Sequence, residues 1–443
     1  MSNFDNHDKR EGFSSKFGII AAAAGSAIGL GNIWRFPYLV GENGGAAFVF
    51  IYLIFVFGIG VPVMLSELII GRKAQSNYYG AFRKLAPGTK WSVIGIMGVA
   101  SAFMILSFYS VVAGWTLEYV IAALDNTFAG KSPAEIKDVY GIMTGTSWRS
   151  VLFMLIFMAL TAFIVQAGVQ KGIERASKAL MPVLFVIVAI LIIRSLTLEG
   201  AAEGLRFLFN PDFSKVSTAT VMDALGQAFF SLSLGMGAIA TYGSYISKKE
   251  SLGQTAVFVS LFDTIFAVLV AVAIFPAVFA FGLEPGQGPG LVFVTFPGIF
   301  NQMAGGYFFA IIFFVLLAIT ALTSTISLLE VVVVYFVEEL KMKRGIATWV
   351  AAGSMSALGA LCAVNTSVFS FFDSTSSNIL LPLGGLLTVI FVGWILGKKV
   401  VRKELEEDGK TAFYFKLFIP VIRFIAPIAI AMVFLNGMGL LKF

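Results

Sequence analysis

Residues 25–45 read GSAIGLGNIWRFPYLVGENGG. They lie inside the first long apolar stretch of the chain, yet Gly25, Gly29 and Gly31 fall close together and Asn32, Arg35 and Pro37 follow them. A helix in hydrocarbon must satisfy its backbone internally, because lipid offers no replacement for a lost hydrogen bond. Glycine weakens a helix and proline removes a donor. A segment of this composition breaks its own helix within an apolar run, and such a break is tolerated only where the freed groups have a use.

The rest of the chain identifies the solvent as a bilayer. Of 443 residues, 58% are hydrophobic and 13% charged, with mean hydropathy +0.90, outside the range of soluble domains. The apolar runs reach the roughly 20 residues that a helix needs to cross hydrocarbon, and they lack the short alternating pattern of barrel strands. They predict an all-α integral membrane protein with eleven transmembrane helices, at 17–40, 46–70, 91–124, 149–166, 174–196, 221–246, 253–282, 305–339, 346–366, 371–397 and 412–441.

Basic residues stay on the cytoplasmic side. With the amino terminus inside, the cytoplasmic segments hold 22 of the 31 lysines and arginines and the outside segments six. The expectation is a multi-pass protein of the bacterial inner (plasma) membrane, N-terminus cytoplasmic and C-terminus outside. The net charge of +6 reflects this bias, spread over six cytoplasmic segments, and calls for no nucleic-acid partner. The tail 1–16 contains acids and no small-residue cleavage site, so the first apolar segment reads as a retained span.

Composition also excludes chemistry. A single cysteine, Cys362, permits no disulfide framework within one chain, and the single histidine, His7, lies in the tail. Intramembrane Ser-His hydrolysis and His-ligated metal chemistry are therefore out. No phosphate-binding G-x-x-x-x-G-K-[ST] loop occurs. The chain reads as no enzyme.

A second glycine-rich interruption, Ser231-Leu232-Ser233-Leu234-Gly235-Met236-Gly237, falls in the sixth span. Five spans separate the two breaks, and a five-helix unit repeated after an odd number of crossings is inverted relative to its copy. The breaks thus predict a 5+5 inverted repeat, 17–196 against 221–397, followed by 412–443 as an eleventh helix and outer terminus. Interrupted helices in corresponding positions of two halves point to a transporter's binding site. Gly25 and Gly29 also have the spacing that lets membrane helices pack closely, but packing leaves Asn32, Ser231 and Ser233 unexplained.

At such a break the first half-helix ends in free carbonyls, which suit cations, and the second begins with free amides, which suit anions. The carbonyls near Gly25, Ala27 and Ile28 and the amides of Leu30 and Gly31 fit a zwitterion, with carboxylate on the amides and ammonium on carbonyls of the sixth span. Sodium, which prefers oxygen, fits the remaining carbonyls with hydroxyls such as those of Thr323, Ser324 and Thr325.

The strings GSAIGLGNIWRFPYLVGENGGAAF, GQAFFSLSLGMGAIATYGSYI and ALTSTISLLE resemble the neurotransmitter:sodium symporter family, which has the leucine-transporter fold, and within it the bacterial eleven-span branch that carries hydrophobic amino acids. The resemblance runs from about Lys9 to the last span. It implies two sodium sites: Ala27, Asn32, Ser231 and Asp263 for the first, and Gly25, Ile28, Thr320, Thr323 and Ser324 for the second. It implies substrate contacts at Ala27, Leu30, Gly31, Tyr109, Phe230, Ser231 and Ser233. The side-chain pocket would comprise Ile105, Tyr109, Phe230, Met236, Ser324 and Leu328. A pocket with a flexible methionine suits a range of apolar side chains.

The resemblance further implies an outer gate, Arg35 with Asp373, above Tyr109 and Phe230. The inner gate would be Arg10 with Glu338, near Phe13, Ser244 and Tyr245. Phe13 departs from the tryptophan usual in the family, which puts its packing in question, and charges in tails and loops are also often merely solvated. Gly172 and Pro182 match a pattern that unwinds the start of the fifth span, although proline there also fits an ordinary kink. Glu67 can hold amides of the sixth-span break or pair near the interface. Asp263 stands where the family usually has asparagine, and Ala267 where chloride-dependent members have serine. A carboxylate at the first sodium can supply the charge that chloride supplies elsewhere, unless a neighbouring helix alone satisfies it.

The expected function is a sodium-coupled symporter importing hydrophobic L-amino acids, aliphatic and aromatic, by chloride-independent alternating access. A sodium-selective channel and an amino-acid-sensing membrane receptor are the alternatives.

Overall fold

The computed structural model describes residues 11–282, 290–407 and 410–441. Eleven helical segments follow one another at the expected places. The second to fifth are Ala46–Ala74, Ser92–Leu124, Ser147–Gln166 and Val169–Leu196, and the seventh to eleventh are Leu252–Ala280, Gly306–Glu339, Arg344–Val364, Thr366–Ile395 and Phe415–Gly437. These nine are long and apolar enough to cross a membrane. The first segment is a pair, Lys16–Ala27 and Gly31–Glu42, bent by 55° across its break, and it brings the number to ten. The sixth consists of Thr218–Ser231 and Ala238–Gly243, two pieces each too short to span. The expected eleventh crossing is thus the segment whose helix is most thoroughly interrupted.

Proline explains much of the local irregularity. Five wide π-turns, Gly31–Arg35, Val56–Gly60, Leu291–Thr295, Thr375–Leu380 and Val421–Ile425, each run into a helix that carries proline in its first turn. Proline lacks the donor and clashes with the carbonyl a turn earlier. Widening that turn by one residue lets the freed groups be satisfied within the helix, as lipid requires.

Around this frame the third and eighth spans pack along one another at the centre of the molecule. The first piece of the first span, Lys16–Ala27, lies against the fifth, seventh and eighth, and the second piece of the sixth, Ala238–Gly243, lies against the second. That last approach is close: the backbone of Gly71 meets the carbonyl of Ala240 with no room for a Cβ. Outside the spans lie the helix Pro133–Gly145, opened by a capping box of Ser132 and Glu135, and the helix Ala201–Phe209. The only strands among the described residues are Glu406–Glu407 and Lys410–Thr411, paired antiparallel.

Candidate substrate and sodium site

The break in the first span leaves Ile28, Gly29 and Leu30 between its two helices, with Ile28 extended. The break in the sixth covers 232–237, where Ser233, Gly235 and Gly237 all take positive φ (55°, 85° and 77°). Glycine reaches that region without strain and most other residues do not. Two of its amides are held by one carboxylate: the NH groups of Gly235 and Ala240 donate to Glu67 at 2.7 and 3.3 Å. Glu67 is fully buried in the second span, so the structure places it on the break and not at the interface.

The two breaks face each other across short links. Ser233 Oγ donates to the carbonyl of Ser26 at 2.8 Å. Asn32 Nδ2 donates to Asp263 Oδ1 at 2.7 Å and lies 3.3 Å from Ser231 Oγ, which itself donates to Asp263 Oδ2 at 2.8 Å. The Tyr52 hydroxyl reaches Ser231 Oγ at 3.4 Å. Asn32, Ser231 and Asp263 therefore form one cluster, all of them buried. Ala27, the fourth residue expected at a first sodium, ends the first half-helix and lines the same cavity as Asn32 and Ser231. Asn32 Oδ1 accepts from the Gly29 NH at 3.0 Å and so stabilises the turn at the break.

A second oxygen cluster lies between the first and eighth spans. Thr323 Oγ1 donates to the carbonyls of Ile28 at 3.3 Å and Thr320 at 2.9 Å, and Ser324 Oγ approaches the Thr320 carbonyl at 3.5 Å. Gly25 lies against the Thr323 side chain. These are hard, uncharged oxygens, the ligand type of an alkali cation. Among the described residues no group of three His, Cys, Asp or Glu side chains is placed to hold a metal.

Above both clusters opens a cavity of about 860 Å³. All eleven residues expected to touch substrate line it: Ala27, Leu30, Gly31, Ile105, Tyr109, Phe230, Ser231, Ser233, Met236, Ser324 and Leu328. The Leu30 NH donates to the Tyr109 hydroxyl at 3.2 Å. Gly31 is small for a reason of packing, because a Cβ there would meet the Phe230 ring at 2.9 Å. The walls rise to Tyr140 and Thr144 of a loop helix and to Asp373 and Ser377 of the tenth span.

The two residues expected to form an outer gate stand apart. Arg35 lies over the Phe230 ring, 4.7 Å from its centroid, and makes no ion pair with Asp373, whose carboxylate accepts from Ser377. Both residues line the cavity. The expected pair is within electrostatic influence but open, which leaves the cavity accessible from that side.

The opposite side is closed. Phe13 packs edge-on against Tyr242 and Tyr245, its ring centroid 5.8 and 6.0 Å from theirs. Glu338 accepts from Ser76 and Asn77; Arg10, its expected partner, lies outside the described residues. Gly172 sits in a π-turn, Val169–Glu174, with its backbone against the carbonyl of Ile164, and Pro182 lies inside the following helix. The start of the fifth span is wound here, not unravelled.

Sequence reasoning missed one element of this closure. Glu330, fully buried, accepts from the Tyr245 hydroxyl at 2.7 Å and pairs with Arg344 at 2.6 Å, while Arg344 also donates to the Val165 carbonyl. Glu330 ends the string ALTSTISLLE, and an acid inside an apolar span was itself the signal.

The profile of the Sodium:neurotransmitter symporter family matches residues 10–137 and 135–442. The chain belongs to this family. A Bacillus subtilis protein described as an uncharacterized sodium-dependent transporter is 40% identical over 445 residues, covering 97% of this chain and 98% of that one. A Haemophilus influenzae sodium-dependent transporter is 38% identical, covering 98% and 99%. The crystal structure of MhsT in complex with L-phenylalanine superposes with a TM-score of 0.88 at 45% identity, over 97% of this chain and 100% of that one. This member of the symporter family is therefore a sodium-dependent membrane transporter with the all-helical fold of MhsT, and not an enzyme.

Proposed function

We propose that this symporter imports hydrophobic L-amino acids with two sodium ions, without chloride, across the cytoplasmic membrane of a bacterium. The observation that carries this reading is the floor of the cavity: an apolar pocket of Ile105, Phe230, Met236 and Leu328 beside the main-chain groups of two broken helices. An amino acid needs both surfaces at once. Its carboxylate finds the amides of Leu30 and Gly31 and the Tyr109 hydroxyl; its ammonium finds carbonyls at the sixth-span break; its side chain fills the pocket. The MhsT complex with L-phenylalanine supports the substrate class.

Sodium is cargo in this scheme. One ion takes the cluster of Ala27, Asn32, Ser231 and Asp263, where the Asp263 carboxylate supplies the negative charge that makes chloride unnecessary. The other takes Gly25, Ile28, Thr320, Thr323 and Ser324. Each sodium charge entering down a potential contributes about 2.3 kcal/mol per 100 mV. Closure follows when Arg35 leaves the Phe230 ring for Asp373 and seals the cavity above the substrate. Release follows when the start of the fifth span unwinds at Gly172 and Pro182 and the inner charge clusters part. In this reading the eleven segments form a 5+5 inverted repeat, 17–196 against 221–397, and the excess of lysines and arginines in the segments read as cytoplasmic supports an N-terminus inside and a C-terminus outside.

Uptake of labelled leucine, phenylalanine, glutamate and lysine into proteoliposomes tests the proposal. Accumulation of the two apolar amino acids under an inward sodium gradient, unchanged when gluconate replaces chloride, is expected. Binding without uptake would make the protein a receptor, and sodium current without amino acid would make it a channel; either result overturns the reading.

A further inference from the structure

Residues 11–15 lie along the start of the fifth span, and one buried carboxylate receives three of their hydrogen bonds. Glu174, 2% exposed, ends the π-turn Val169–Glu174. Its Oε2 accepts from the Ser14 NH at 2.8 Å, and its Oε1 accepts from the hydroxyls of Ser14 at 2.7 Å and Ser15 at 3.0 Å. Lys178 Nζ lies 2.6 Å from the same oxygen. The Gly18 backbone lies so close that a Cβ would overlap the carboxylate.

A second contact fixes the direction of the strap: the Glu11 carboxylate accepts from the Gln170 NH at 3.0 Å, and Gln170 Nε2 donates to the Gly12 carbonyl at 2.7 Å. Ser15 has two tasks, since its hydroxyl also accepts from the Gly18 NH as the N-cap of the first helix. The group that starts the first helix is therefore oriented by a side chain of the fifth.

The mechanism above leaves this carboxylate unused. Acidic groups are rarely this buried, and one that is held by several charge-assisted donors resists separation from them. The inner half of the first span and the start of the fifth are also the two parts that must separate for cargo to leave inward.

We infer that Glu174 is a positioning residue, a latch that holds the inner half of the first span closed through Ser14 and Ser15 and must release it in the step that opens the cytoplasmic side. The inference rests on alternating access as proposed above, but not on the identity of the substrate.

Thiol labelling in sodium without amino acid tests it, so a failure of amino-acid uptake leaves the result readable. Cys362, which lines the outer cavity, reports the outer side. A Cys362→Ala background with Ala22→Cys, a buried position in the inner half of the first span, reports the inner side. Glu174→Ala should raise labelling at position 22 about tenfold and lower labelling of Cys362, because a closed–open equilibrium shifts both in opposite directions. Ser14→Ala with Ser15→Ala, which leaves the Glu174–Lys178 pair intact, should do the same to a smaller degree. Unchanged rates at both sites overturn the latch, and so does a rise at both, which marks loosened folding.

Discussion

At the scale of single residues, the site depends on two buried carboxylates with different duties. Asp263 accepts from both Asn32 and Ser231 in the first oxygen cluster, and in the proposed function it supplies that cluster's negative charge. Replacing it with asparagine should make sodium-dependent amino-acid binding either chloride-dependent or at least about tenfold weaker. Binding compared in chloride and gluconate decides this, and an unaltered, chloride-independent affinity removes Asp263 from the ion site. Glu67 instead holds backbone, accepting from the NH groups of Gly235 and Ala240. Hydrogen bonds to a charged partner are worth about 1.5–3 kcal/mol, so Glu67→Gln should lower thermal stability measurably and weaken substrate binding together. Asp263 came only through the family resemblance, whereas Asn32 and Ser231 were legible as chemistry, because polar groups are costly in hydrocarbon. The Glu330–Arg344 pair was not, since its partners come from different helices and only packing brings them together.

At the scale of elements, the interrupted helices persist because other parts of the chain satisfy them. In the sixth span, Gly235 combines φ of +85° with a position hard against the Leu381 carbonyl. A side chain there costs about 1–2 kcal/mol for the backbone alone, before the overlap is counted. Gly235→Ala should therefore abolish amino-acid binding or prevent stable purification. Gly353, inside the ninth span with open space where a Cβ would stand, makes the matched control: Gly353→Ala should leave binding and melting temperature unchanged or raise the latter slightly. Equal effects from the two substitutions would sink the claim that the break is a built feature. The first break was plain in the sequence from its glycines, asparagine and proline. The π-turns were not, although the prolines that follow five of them mark where they lie.

At the scale of the whole molecule, the conformation is open on one side and shut on the other. Arg35 rests on Phe230 and the cavity is exposed, while Phe13, Glu330 and Arg344 close the far end. Binding of amino acid should draw the outer walls together, so labelling of Cys362 in sodium should slow severalfold when a substrate is added, by differential binding to the closed form. Labelling that is indifferent to every amino acid imported would contradict closure over the substrate.

Hydropathy alone determined that the chain is helical and crosses a membrane, because a bilayer imposes run length and polarity directly on the sequence. The glycine and proline pattern located the breaks for the same reason: backbone donors in lipid have no substitute. Three-dimensional packing decided the rest. It set Arg35 apart from Asp373, coupled Glu330 to Arg344, and fastened Ser14 to Glu174 across 160 residues of sequence. A charge in a membrane needs a partner, but its own neighbours in the sequence do not say which one it will find.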